Sequence, residues 1–165
     1  MAIDLTLRIK NRLPIAALSD EISQIIADLI QCKPHPPITI GRVEDGMLVP
    51  QPDGIIGNDD GLFVVAYEGR SDKVWITTTE LEPSGNEYQL TLSVGATRSA
   101  AEYVLGLAGA IAIGLREKVD IVDQSTFWTK ESPAQPKHLV TQYRLNTPNL
   151  DFDASCTELV KNRLH

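Results

Sequence analysis

From Ile3 to Ile9 the chain alternates: Ile3, Leu5, Leu7 and Ile9 are apolar, and Asp4, Thr6 and Arg8 stand between them. A period of two predicts a strand with one buried face. From Ile15 the period changes. Ile15, Leu18, Ile22, Ile25, Ile26, Leu29 and Ile30 recur at three- and four-residue spacing, the stripe of a helix packed on a core. Pro14 stands where such a helix can begin, with Ser19 or Asp20 as the alternative cap of a shorter one. "KPHPP" at 33–37 ends it, because proline lacks the amide hydrogen and restricts the residue before it.

"ITIGRVEDGMLV" predicts two short extended pieces around a turn at Glu44, Asp45 and Gly46. "LFVVAY" is apolar at every position, the pattern of a central strand covered on both faces. "VWITTTELE" and "EYQLTLSV" follow after short polar connections and complete an antiparallel meander. In the last of these, Tyr88, Leu90, Leu92 and Val94 point one way, and Glu87, Gln89, Thr91 and Ser93 the other. A long apolar helix is then predicted over 97–118, with Thr97 or Ser99 as N-cap and Ser99-x-x-Glu102 fitting a capping box. Gly106, Gly109 and Gly114 each cost such a helix about 1 kcal/mol relative to Ala, which implies close approach to a neighbouring element. "DIVDQSTFW" gives a brief strand and a turn. "SPAQPKHLVTQYRL" gives a short helix with Ser132 as cap and Pro133 at its first position, and "ASCTELVKNRL" a last one.

This order predicts a single α+β domain over 1–165. Its antiparallel sheet carries two main helices on one face, a ferredoxin-like core with extra strands, and a short helical C-terminal tail follows. The tail or another subunit is then needed to cover the sheet's second face.

With 165 residues, 42% of them hydrophobic, the chain can fill a core without a metal or disulfide staple. A formal net charge of −7 and the lack of a basic run argue against nucleic acid; the charge would favour a basic protein partner, but it more often serves solubility alone. The longest apolar stretch, Tyr103 to Leu115, is too short to span a bilayer, and the first residues alternate instead of forming a signal core. Cys32 and Cys156 stand far apart with no C-x-x-C, as free thiols of a reducing cytoplasm. A cytoplasmic protein without a membrane partner is expected.

Candidate chemistry concentrates in "DGIIGNDDG" at 53–61. Its acids do not alternate as a calcium loop requires, and it matches no phosphate-binding glycine motif. It reads as a connector pinned by Ile55 and Ile56, with Asp59 and Asp60 on an acidic binding rim. Cys32-x-x-His35 is half a zinc site whose complement, His138 and Cys156, lacks compact spacing. Glu80 and Glu82 project from one strand face, where two acids shift each other's pKa, but a solvated strand end accounts for them equally. No G-x-S-x-G elbow is present. No catalytic residue, metal or cofactor is therefore assigned. Asp123, Phe127 and Trp128 form a second candidate partner contact, since Trp is enriched at binding hot spots. Equally, the aromatics can close one end of the core while Asp123 caps the turn.

The run "SAAEYVLGLAGAIAIGLREKVDIVDQSTFWT" resembles the late part of small uncharacterised bacterial α+β proteins, including some toxin-immunity-type proteins. The resemblance covers about a fifth of the chain and implies a protein-binding or inhibitory role. The expected function is a non-enzymatic domain that binds another protein or a copy of itself. The alternative is a small-molecule binder or enzyme with a pocket between the sheet and the Gly-rich helix.

Overall fold

The computed structural model describes residues 2–32, 34–57, 62–81, 86–95, 99–147 and 149–163. The elements are β1 (Ile3–Ile9), β2 (Leu13–Pro14), α1 (Ile15–Ile30), β3 (Ile38–Glu44), β4 (Met47–Pro50), β5 (Ile55–Ile56) and β6 (Leu62–Tyr67). They continue with β7 (Lys73–Glu80), β8 (Tyr88–Val94), α2 (Ala100–Glu117), β9 (Val122–Asp123), α3 (Pro136–Tyr143) and α4 (Phe152–Asn162). Seven strands form one sheet in the order β4-β3-β6-β7-β8-β1-β9, and β2 pairs with β5 in a separate ribbon. Every neighbour in the large sheet is antiparallel. The path β1-α1-β7-β8-α2-β9 has the spatial strand order β9-β1-β8-β7, which is the ferredoxin-like arrangement. Strands β3, β4 and β6, inserted between α1 and β7, extend it on the β7 side.

The alternation in the sequence sets the register. Leu5 faces Leu92, Leu7 faces Leu90 and Ile9 faces Tyr88, so the apolar residues of both strands share a face. That face continues through Val74 and Ile76 of β7, Phe63 and Val65 of β6, and Ile40 of β3. A slip of one residue would turn all of them to the other side. Helices α1 and α2 lie here, packed on one another, and their stripes merge with the sheet in one core. At Gly109 a Cβ would come within 2.6 Å of Leu92 Cδ2, so glycine is what lets α2 settle onto β8.

From Ala101 to Gly114, apart from Tyr103, α2 is buried on all sides. The sheet lies on one flank, and α1, α3 and α4 take the others. The two tail helices thus pack on α2 and α1 and leave the sheet's second face alone. The observed α3 also begins later than its sequence signals suggest. Ala134 exchanges two backbone hydrogen bonds with Ile121, of 2.8 and 2.9 Å, which holds that stretch extended. The helix therefore starts at Pro136, and Ser132 Oγ accepts from the Asp123 amide instead of capping.

The starts of α1, α2 and α4 are satisfied in different ways. At α1 no side chain serves: the Ile15 amide donates to the Gly54 carbonyl at 3.0 Å, so the pinned half of the acidic connector does the work. At α2, Ser99 Oγ accepts from the Glu102 amide at 3.1 Å, and at α4 Asp151 accepts from the Ala154 amide at 2.8 Å. Ser99→Ala is expected to lower unfolding stability by about 1–2 kcal/mol in urea titration. A change within a few tenths would mean that the cap contributes nothing. Among the described residues no helix is long and apolar enough to cross a membrane.

Candidate functional site

The alternation that buries one side of the sheet sends a second set of residues to the other. Gly41 pairs with Pro50 and Val64, and Val64 pairs with Trp75, which makes an apolar row across β4, β3, β6 and β7. Val43 and its partner Leu48 lie beside it, as does Leu62. On β8 and β1 the same face is polar, with Gln89, Thr91, Ser93, Asp4, Thr6 and Arg8. There Ser93 Oγ donates to Asp4 Oδ1 at 2.6 Å. The outer face is thus half polar and half apolar, and the helices all pack on the opposite side. Leu62 is 49% exposed and Val43 39%, unusual for large side chains in strands with a buried face.

Between the β3–β4 hairpin and the β6–β7 turn, this apolar half forms a groove of about 410 Å³. Val43, Leu48, Pro50, Val64 and Ala66 line it, with Glu68, Arg70 and Lys73 at its polar end. The Lys73 ammonium sits 5.4 Å from the Trp75 ring centroid, a cation–π distance.

The turn beside the groove is anchored from below. Arg70 Nε donates to Asp72 Oδ2 at 2.6 Å, and its two terminal nitrogens reach Asp153 at 2.7 and 3.2 Å. Ser99 Oγ donates to the other oxygen of Asp72. Phe152 lies under the guanidinium at 5.1 Å and edge-on to Tyr67 at 5.0 Å. One turn is thereby tied to the starts of both α2 and α4. Burial works to raise the Asp72 pKa, but the hydrogen bonds from Ser99 and Arg70 outweigh it and hold the carboxyl below its ordinary value. A depressed carboxylate stabilises the fold above its unfolded pKa, and that contribution disappears as pH falls through the folded value. The stability difference between the wild type and Asp72→Asn should accordingly be full at neutral pH and shrink below about pH 4. A difference independent of pH would remove the ionised carboxylate from the account. Cys156, in α4 nearby, is pushed up to about 12 by burial, so it stays a protonated, unreactive thiol at neutral pH.

Of the residues singled out in the sequence, Asp59, Asp60 and Glu82 lie outside the described residues. Glu80 is exposed. Ile56 is buried and pairs with Leu13, which pins the connector, whereas Ile55, expected to share that role, is half exposed. Gly106 and Gly109 of α2 face Val94 and Leu92 at contact distance. Among the described residues, no three His, Cys, Asp or Glu side chains come together as metal ligands.

Asp123, Phe127 and Trp128 do come together. Asp123 is buried, and its Oδ1 accepts from the Ser125 amide at 3.1 Å and hydroxyl at 2.7 Å. Its Oδ2 accepts from the Trp128 amide at 2.6 Å and the Thr129 amide at 3.1 Å. One carboxylate thus closes the whole 123–129 loop. Trp128, only 2% exposed, stands edge-on to Phe127 at 5.0 Å and to Tyr143 at 5.2 Å, and the Tyr143 hydroxyl donates to its carbonyl. Phe127 is half-buried, stacked on Tyr103 at 4.4 Å, with the Arg163 guanidinium 3.7 Å over its ring.

No protein-family model matches the chain, and no curated protein matches it either. Among solved structures, Pseudomonas aeruginosa T6SS protein PA0821 shows a slight likeness, with a TM-score of 0.31 and 14% sequence identity. The match covers 81% of this chain and 46% of that one, so this chain spans less than half of its length. A likeness this slight carries no argument about fold or role.

Proposed function

We propose that this is a protein-binding domain whose docking surface is the apolar half of the outer sheet face. The observation that carries the reading is the exposure of Leu62 and Val43 around the buried Val64, on a face that no helix among the described residues covers. Contiguous apolar surface of this kind marks interaction sites in proteins that otherwise hide it. The occupant proposed is a different protein of basic charge. A second copy would bring its own formal net charge of −7 against the same charge, whereas a basic partner gains from it. Asp59 and Asp60, which shortly precede Leu62 in the chain, belong to the acidic rim in this reading. An inhibitor of immunity type, covering a working surface of its target, is its sharper form.

The double variant Val43→Glu/Leu62→Glu tests the reading. Both side chains already meet solvent, so its melting temperature should stay close to that of the wild type while binding to the cognate partner falls by about tenfold or more. Unchanged affinity in the folded variant would move the docking surface elsewhere. A concentration-dependent dimer in light scattering, abolished by the same variant, would make the occupant a second copy.

A further inference from the structure

Near the C-terminal end of α4, two buried hydrogen-bond donors have no acceptor among the described residues. The Trp128 indole nitrogen Nε1 and Arg163 Nε are each screened from solvent, and neither has a hydrogen-bond partner among the described residues. Bulk water does not satisfy them, and a buried donor without an acceptor costs about 1–3 kcal/mol. Both residues line one cavity of about 280 Å³, together with Thr129, Lys130, Gln142 and Tyr143, and with Glu131 at its rim. Arg163 forms no ion pair with any described carboxylate. It is held instead by its contact with the Phe127 ring.

The chemistry of the unmet groups specifies the occupant. Indole N–H and guanidinium are donors only, so the missing group must supply acceptors. Arg163 and Lys130 bring two positive charges and Glu131 one negative charge, while the nearby Asp123 carboxylate is already taken up by the Ser125, Trp128 and Thr129 donors and leaves Arg163 unpaired among the described residues. A guanidinium matches the planar fork of a carboxylate in particular. We infer that this cavity is a carboxylate-binding site, in which Trp128 Nε1 and Arg163 donate to the oxygens of one carboxyl group. Arg163 is partly buried against Phe127, so a ligand that reaches Trp128 Nε1 does so by displacing the Arg163 side chain. The carboxyl group can belong to a free small acid or to an acidic peptide; the recognition chemistry is the same. The site lies apart from the outer sheet face and does not depend on docking there.

The test uses the full chain carrying Trp75→Phe, which leaves Trp128 as the sole source of an indole N–H resonance in NMR. Sodium acetate and a short Asp-containing peptide are titrated separately, each against sodium chloride at equal ionic strength. The expected result is a saturable downfield shift of the Trp128 indole proton with one or both ligands, not matched by chloride. Saturation by acetate alone identifies a free acid as the source, and saturation by the peptide at much lower concentration identifies a peptide carboxylate. Arg163→Gln should raise the half-saturation concentration about tenfold or more, and Arg163→Lys should recover part of it. Val43→Glu/Leu62→Glu should leave it unchanged. An indole proton that does not move with either ligand would overturn the inference and assign the N–H to a neighbouring ring face. A shift that survives Arg163→Gln in a folded variant would overturn it too.

Discussion

Asp123→Ala should cost about 3–5 kcal/mol of unfolding stability, because it removes a charged acceptor from four donors at once. Two of those donors, the Trp128 and Thr129 amides, lie in the loop that carries the buried indole. Leaving them unpaired is more expensive than the loss of any single bond. Asp123→Asn should recover only part of the loss, since an amide has one acceptor oxygen where the carboxylate has two. The near-UV circular dichroism of Trp128 should weaken in step, as the loop no longer fixes the ring between Phe127 and Tyr143. Urea titration of the three proteins checks the order. A loss under about 1 kcal/mol for the alanine variant would mean that water replaces the carboxylate, and that the loop does not need it.

Gly41→Val should be as damaging, for a steric reason. A Cβ at Gly41 would lie 2.1 Å from the Val49 carbonyl oxygen and 2.9 Å from Pro50 Cα. Both are backbone atoms, so no side-chain rotation relieves the clash, and β4 must separate from β3. Overpacking a close contact typically costs about 1–3 kcal/mol, and this case belongs at or above the top of that range. Because Leu48 and Pro50 line the groove, the variant should also lose partner binding beyond what its lowered stability explains. Amide hydrogen exchange should locate the damage in 38–50. Retention of wild-type protection there would contradict the close packing of the hairpin.

The strands with one buried face were legible because their period survives in the sequence: Ile3–Ile9 and Tyr88–Val94 pair in the register that their alternation demands. The topology followed from element order, since two helices separated by a meander close naturally into this sheet. "LFVVAY" predicts a strand covered on both faces, and Phe63 to Tyr67 are indeed all buried, but the pattern does not say by what. Val64 and Ala66 are buried on the face that the helices leave alone, while Leu62 remains half exposed. Apolarity records a preference for burial but does not name the covering element. The start of α3 shows a similar limit. Ser132-Pro133 carries the stronger local start signal, but the bridge between Ile121 and Ala134 holds that stretch extended and moves the start to Pro136. Arg70 and Asp153 are 83 positions apart, so nothing local announces their pairing. For Asp123 the sequence offered both a partner contact and a capped turn; its hydrogen bonds are those of the capped turn.

The most direct measurement of the central proposal is site-specific photocrosslinking in the native cell. A crosslinking amino acid is placed at Leu62 on the apolar half and, in a separate protein, at Arg8 on the polar half. The docking account predicts one discrete adduct from position 62 and none of that mass from position 8. The adduct partner, once purified, should bind the wild-type chain saturably and the Val43→Glu/Leu62→Glu chain about tenfold or more weakly. Equal crosslinking from both positions, or undiminished binding of a folded double variant, would contradict it.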